Sequence, residues 1–293
     1  MKIKPLKNCG VEILDIDISN LTSTDYKEIK DIFLEHLVVI FRNQSLQIVP
    51  YAKLIEGIGH IANWKQCQWD IDGNLNKYYT GSYVDPFTFV EEDKYFPVQR
   101  VTGKKIAGKM TGIFGSGKLD WHSNMNGPFN RARGVALQGV TQACVGTSTS
   151  WMDTTLAYAA MSDELKKRCE GVEGRFEYSP EIWAEGLPQI QYDYMLQNKE
   201  EFYMMPLVNI SPKGKPGLYF HFHNKCTFPS DPELLDILKE HCFKPEFIYK
   251  HEWEIGDIVL SDQVLTLHKR DHDDPAILAE RVLHRYTFHF DPK

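Results

Sequence analysis

Apolar and polar residues change their spacing along the chain, and the changes mark out its elements. In Val11–Ile18, the residues Val11, Ile13 and Leu14 stand among polar ones, as in a short strand. Ser23 or Thr24 is placed to cap a helix in which Tyr26, Ile29, Ile32, Phe33 and His36 return near the 3.6-residue period. The next run, Leu37–Phe41 (LVVIF), is apolar and β-branched, long enough for a buried strand and too short for a helix. A second helix fits Pro50–Gly59.

Between Lys65 and Leu119 the periodicity weakens. The segment carries Trp69, Tyr78, Tyr79, Tyr83, Phe87, Phe89, Tyr95 and Phe96, acids at Glu91–Asp93 and several glycines. Long irregular segments are functional lids or linkers, and the aromatic content predicts a lid or insert over 65–119 of a single 1–293 domain. Downstream, Met152–Met161 and Ser162–Cys169 read as consecutive helices, with Ser162 capping the second. Ser230-Asp231-Pro232-Glu233 combines a capping box with an early proline. Leu234, Leu235, Ile237, Leu238 and Cys242 supply the apolar face of the helix that follows. Strands are predicted at Gly217–Phe222, Phe247–Trp253, Asp257–Ser261 and Val282–Phe290. Short strands joined by turns, with helices gathered earlier in the chain, predict an α+β fold on an antiparallel sheet or barrel.

The 293 residues, 42% hydrophobic, are enough to bury a substantial core in one large domain or at most two. Asp plus Glu (40) outnumber Lys plus Arg (33), giving a net charge of -7. That excludes a nonspecific nucleic-acid coat protein, which needs a basic footprint, and leaves room for a local basic pocket. No apolar run approaches the roughly 18 residues of a membrane span. Met1–Gly10 has lysines but no apolar core of a signal peptide. Six cysteines lie far apart without a C-x-x-C pair, as expected of free thiols in a reducing cytoplasm. The expected partner is a small molecule rather than a nucleic acid or a membrane, with homo-oligomerisation left open.

Two histidines stand out. His122 lies in Leu119-Asp120-Trp121-His122-Ser123-Asn124, where a strand runs into a turn, and His268 follows Gly256-Asp257-Ile258-Val259-Leu260-Ser261-Asp262 at the end of another strand. Arg281 and Arg285 come after His268, four residues apart. In an extended strand they share a face, roughly 13 Å apart at about 3.3 Å per residue. Two distant histidines followed by an arginine form the layout of a non-haem iron site with an anionic co-substrate, because two His and one carboxylate leave three coordination positions open. His221-x-His223 puts two rings on one strand face and reads as a metal pair, as pocket lining or as structure. Asp262 reads as structural. Gly112–Gly117 (GIFGSG) does not lead from a strand into a helix, so no phosphate loop is assigned.

The sequence resembles the taurine dioxygenase (TauD/TfdA-like) family of Fe(II)/2-oxoglutarate-dependent oxygenases from about Gly10 to Asp291. The likeness runs through Gly10-Val11-Glu12-Ile13 to Leu37-Val38-Val39-Ile40-Phe41-Arg42-Asn43-Gln44, Trp121-His122, the Gly146–Ser162 segment GTSTSWMDTTLAYAAMS, and Gly256-Asp257-Ile258 through His268. The resemblance implies a distorted double-stranded β-helix (jelly-roll, cupin-like) with flanking helices. It implies Fe(II), 2-oxoglutarate and O2, with oxidation, usually hydroxylation, of a small polar or anionic molecule and release of succinate. His122 and His268 fall on metal ligands, Thr149 and Arg281 on the residues that hold the distal 2-oxoglutarate carboxylate, and Arg285 on a position that holds a substrate anion in some members. His221 is placed beside the substrate.

One position departs from the pattern. The family's third ligand is an aspartate two residues after the first histidine, and here that residue is Asn124. Removing a unit charge some 2 Å from a dication is nominally on the order of 10–20 kcal/mol at an effective dielectric of about 20, an upper bound before solvent and co-substrate compensate. Four readings follow: Asn124 ligates as a neutral carbonyl, Asp120 substitutes, the position is vacated for a halide as in related halogenases, or the chain binds without catalysis.

Overall fold

The computed structural model describes residues 1–61, 87–88, 98–106, 109–110, 112–115, 118–124, 132–177, 202–222, 225–272 and 274–290. The β-branched and aromatic runs within them pair into a nine-stranded sheet. Its order is Ile3–Pro5, Val11–Ile13, Val38–Phe41, Ile258–Asp262, Gly134–Gly139, Leu283–His289, Val98–Val101 and Phe87–Thr88, with His60–Ile61 also paired to Leu283–His289. Val11–Ile13 and Val38–Phe41 are parallel, whereas the other pairings in this sheet are antiparallel. A parallel pair needs a crossover, and the helix Ser23–His36 provides it. Thr22 caps that helix in a reciprocal box with Asp25, one residue before the predicted cap, and Leu37 ends it in the left-handed region at φ 61°.

Strand alternation sorts side chains onto two faces. Val39, Phe41, Ala136, Ile258, Leu260, Tyr286 and Phe288 face the helices Ser23–His36 and Ile48–Ile58, whose Ile29, Phe33, Tyr51, Leu54 and Ile55 complete one core. Gly134 is required in this layer: a Cβ there would meet the Phe288 ring at 2.2 Å. Val38, Ile40, Val135, Leu137, Val259 and Leu283 face the other way, onto Trp151 and Trp253. Trp151 belongs to a second antiparallel sheet, Ile248–Glu252, Ser148–Asp153 and Thr266–Arg270. The described residues thus mix antiparallel-rich sheets with helices, as an α+β fold does.

Several elements differ from the sequence reading, each for a local reason. The strand at Val11 stops at Ile13, because Asp15 turns left-handed (φ 56°) and Asp17 caps a short 3-10 turn, Ile18–Asn20. The second helix starts at Ile48 and Gly59 follows its end. Met152 lies in a strand, not a helix. The buried Asp153 carboxylate accepts the N–H of Thr155 at 2.8 Å and of Leu156 at 3.4 Å, so the helix begins at Thr154 and runs to Ala159. Ser162 does cap Asp163–Cys169. No capping box forms at Ser230–Glu233: Asp231 is held by the guanidinium of Arg168, and the helix Leu234–Cys242 starts without a side-chain cap. In the segment read as a lid or insert, Val98–Val101 is a strand of the large sheet; residues 62–86 and 89–97, with most of the aromatics, lie outside the described residues, as does His223. The predicted C-terminal strands appear as Pro216–Leu218, Ile248–Glu252, Ile258–Asp262 and Leu283–His289. The five described cysteines are free and buried. No described helix is long and apolar enough to cross a membrane.

A third core lies behind the second sheet, where Phe176, Leu207, Tyr219, Phe220, Phe228 and Leu238 pack together. It encloses His221, 1% exposed, whose Nε2 is 3.0 Å from the Tyr203 hydroxyl and whose ring stacks on Phe176 at 4.8 Å. Burial, with a smaller contribution from His122, lowers the His221 pKa to about 3. In the unfolded chain a histidine titrates near about 6.5. Above that pH both states are neutral and the contribution of His221 to stability is complete. As pH falls the unfolded chain takes the proton first, so stability is lost from about pH 6.5 down to about 3. By pH 4.5 the loss is on the order of 2–3 kcal/mol. Urea unfolding at pH 7 and pH 4.5 should show this difference, and His221→Gln should shrink it; an unchanged slope would place a water or a proton on the ring in the folded state.

Candidate active site

The backbones of His122 and His268 face each other in an isolated antiparallel bridge, each N–H donating to the other's carbonyl at 2.9 Å. Directly opposed residues project to the same side of a ladder, and the two rings lie 4.2 Å apart between centroids, tilted by 47°. His268 sits within the strand Thr266–Arg270, not at its end, opposite Trp151, while Arg270 is opposite Thr149. Period-two alternation therefore directs Thr149, His268 and Arg270 to one face.

Hydrogen bonds fix the ring nitrogens. His122 Nδ1 lies 2.7 Å from the Asp120 carbonyl, which can only accept, so Nδ1 carries the proton and Nε2 keeps its lone pair. Asn124 Nδ2 lies 3.0 Å from His268 Nε2. An amide NH2 only donates, so His268 Nε2 is the acceptor and its proton is on Nδ1, which is buried without a hydrogen-bond partner among the described residues. Gln263 holds the turn, its Oε1 accepting the Asn124 N–H at 2.7 Å and its carbonyl accepting the Ser123 hydroxyl.

His122, Asn124, His268, Thr149, Arg281 and Arg285 all line one pocket. Val101, Phe114, Leu119, Leu137 and Leu283 supply its apolar walls, and Arg270 adds a third guanidinium. No Asp or Glu is among the described lining residues. Burial holds the His122 pKa down at about 4, against the Asp120 carbonyl and with help from Arg270 and Arg285. Burial also keeps His268 well below the usual histidine range, reinforced by His122 and Arg285. Both rings are neutral at pH 7, the state in which imidazole ligates a metal.

Arg281 is 2% exposed and its Nε has no hydrogen-bond partner among the described residues. No described carboxylate is within ion-pair distance of it, and burial lowers its pKa to about 10, partly offset by the Cys144 thiol. The guanidinium stays charged at neutral pH. A buried cation in that state calls for an anion. Arg281 follows the helix Pro275–Glu280 and precedes the strand Leu283–His289, so it is not in the strand with Arg285 as the sequence suggested; its extended backbone keeps the alternation and the shared face. Arg285 donates to Gln99 Oε1 and lies 5.9 Å from the centre of the Phe114 ring.

These residues fit a divalent cation through two neutral nitrogens and one amide. Among the described residues no three His, Cys, Asp or Glu side chains gather round one point; the residue that could add a third donor is Asn124, were its amide turned to bring Oδ1 to the place of Nδ2. Asp120 does not take that place: its carboxylate is 48% exposed, 3.2 Å from Lys118 Nζ, and outside the pocket lining. His221 is not among the lining residues either. Asp262 accepts the Val264 and Leu265 N–H groups and pairs with Arg133, a structural role. The sequence reading missed Arg270 and Gln263. Arg270 had a signal, two residues beyond His268 on one strand; Gln263 had none, because its partner Asn124 is distant in sequence.

The chain matches the family model described as "Taurine catabolism dioxygenase TauD, TfdA family" over residues 2–287. It is 26% identical over 299 residues to an alpha-ketoglutarate-dependent 2,4-dichlorophenoxyacetate dioxygenase of Cupriavidus pinatubonensis, covering 97% of this chain and 95% of that one. It is 24% identical to an alkylsulfatase of Acinetobacter baylyi, over 93% of this chain and 81% of the relative. Similar solved folds include AAD-2 in complex with Mn(II) and N-oxalylglycine (TM-score 0.70, 20% identity, 98% and 96% of the two chains). A taurine dioxygenase from Burkholderia xenovorans is similar too (TM-score 0.68, 22% identity, 98% and 88%). With a family match over nearly its whole length, the chain is an enzyme of the TauD/TfdA family, whose dioxygenases use Fe(II), 2-oxoglutarate and O2.

Proposed function

We propose that this enzyme holds Fe(II) through His122, His268 and the Asn124 amide oxygen, and 2-oxoglutarate through Arg281 and Thr149. The observation that carries this reading is the buried Arg281 guanidinium, without a described carboxylate, lining one pocket with Thr149 and the His122–His268 pair. Bound together, Fe(II), 2-oxoglutarate and O2 supply the oxidising chemistry: one oxygen atom enters the substrate as a hydroxyl, the other enters succinate, and CO2 leaves. Arg281 supplies charge for the distal carboxylate and Thr149 a hydroxyl donor. The apolar walls exclude water. Arg285, on the same strand face as Leu283, favours a small polar or anionic substrate with a carboxylate or sulfonate. The large sheet and the sheet containing Trp151 are read as the two walls of a distorted double-stranded β-helix within one 1–293 oxygenase domain, supported by the core they share.

Anaerobic Fe(II) with 2-oxoglutarate should give a weak visible charge-transfer band. Arg281→Ala should raise the 2-oxoglutarate dissociation constant roughly 10–100-fold, the worth of a charged hydrogen-bonded pair, and leave metal affinity within about twofold. Equal losses of both affinities would point to a misfolded variant.

Binding without turnover is a second reading, favoured by the Asn124–His268 contact, which engages a lone pair that a metal needs. Asn124→Asp separates the two. It should tighten Fe(II) by about tenfold or more, because a carboxylate is the harder, charged ligand. Tighter metal with a gain in succinate release identifies a weakened oxygenase. Tighter metal with lost turnover makes the neutral ligand part of the native chemistry, and added chloride is then tested for a halogenated product. An unchanged metal affinity overturns the assignment of Asn124 as a ligand.

A further inference from the structure

Thr149 lines the pocket, and its hydroxyl has one hydrogen and two lone pairs and turns to suit its neighbours. Turned the wrong way, it offers a lone pair to a carboxylate and repels it. The structure narrows that freedom. Trp253 Nε1 lies 3.0 Å from Thr149 Oγ1, and indole N–H is a donor only. Thr149 must accept from it, so its own hydrogen points elsewhere. No described protein group takes that hydrogen, and the pocket it shares with Arg281 is the remaining destination.

Trp253 is held so that this direction is fixed. Its side chain is 0% exposed and stands edge-on to His251 at 4.6 Å and to Trp151 at 6.2 Å. Its backbone N–H donates to the Thr147 carbonyl at 3.0 Å, tying the end of one strand to the start of the strand that carries Thr149. Thr149 itself is 4% exposed, which leaves little water to compete for the hydroxyl. The indole does not line the pocket.

We infer that Trp253 is a positioning residue for the co-substrate: its indole N–H commits the Thr149 hydroxyl to donate toward the distal carboxylate that Arg281 neutralises. This rests on the co-substrate reading above. The arrangement divides the work, with Arg281 supplying charge and the Trp253–Thr149 pair supplying a donor whose direction is set before the ligand arrives.

The test is a double-mutant cycle on the full chain with Mn(II), without oxygen, titrating 2-oxoglutarate and 2-oxobutanoate, which lacks the distal carboxylate, by calorimetry. Trp253→Phe keeps an aromatic ring and removes the donor. It should weaken 2-oxoglutarate about fivefold, the scale of one net hydrogen bond, and change 2-oxobutanoate less than twofold. In a Thr149→Val background the same substitution should change 2-oxoglutarate less than twofold, because the hydroxyl it orients is gone. Thr149→Ser should stay near wild type. Equal losses for both keto acids, or the same loss with and without the Thr149 hydroxyl, would reduce Trp253 to packing and overturn the inference. If Trp253→Phe melts early, replacing Trp253 by its benzothienyl isostere, which has sulfur for N–H and nearly the same volume, carries the same comparison. A wild-type chain that does not prefer 2-oxoglutarate to 2-oxobutanoate overturns the co-substrate reading and this inference with it; a wild-type preference lost in Arg281→Ala and kept in Trp253→Phe overturns this inference alone.

Discussion

Two backbone hydrogen bonds, from His122 to His268 and back, set the geometry on which the pocket depends. They join residues far apart in sequence and force both imidazoles to the same side of the bridge. Once His268 is fixed, strand alternation fixes Arg270, and pairing across the sheet fixes Thr149 and Trp151. The turn after His122 is pinned by Gln263, so Asn124 follows the bridge rather than wandering from it. A one-residue slip between the strands Ser148–Asp153 and Thr266–Arg270 would turn His268 and Arg270 away from the pocket together.

That dependence explains what the sequence made legible. His122, His268, Arg281, Arg285 and Thr149 were picked out by the family resemblance of the motifs they stand in, and all five line one pocket. The strand Ser148–Asp153 was harder to see. Its serines and threonines lack the apolar alternation of a buried strand, and they are satisfied from neighbouring segments: Ser150 donates to the Asp271 carboxylate and Ser148 lies 3.3 Å from His272 Nε2. Asp153 then caps a helix from inside the protein, which an apolar periodicity search shifts towards Met152. Ser230–Glu233 does precede a helix, Leu234–Cys242, but without the expected capping box. It has the composition of a helix start, but Asp231 is taken by Arg168, a pairing that no local rule contains.

The pocket also inverts the charge of the chain around it. The protein carries a net charge of -7, yet three arginines and no described acid line this space. Their cost is limited by hydrogen bonds to neutral acceptors, as when Arg270 donates to the Phe114 carbonyl and Arg285 to Gln99. The Phe114 backbone is itself left-handed, at φ 53°, a conformation rare for a bulky side chain. Its carbonyl orientation therefore belongs with the arginine that it serves.

Asn124 is best understood against that charge. An aspartate at this position would be drawn to the guanidinium groups as well as to a metal, and would partly cancel the field that attracts anionic ligands. The neutral amide leaves the field intact, so the negative charge at the site must arrive with what binds there. On the proposed reading, 2-oxoglutarate brings two carboxylates, one toward Arg281 and one toward the metal. Metal and co-substrate then stabilise each other more than they would beside a resident carboxylate, since each supplies the counter-charge that the other lacks. On the same reading, affinity for either alone is low and the site is completed by the pair.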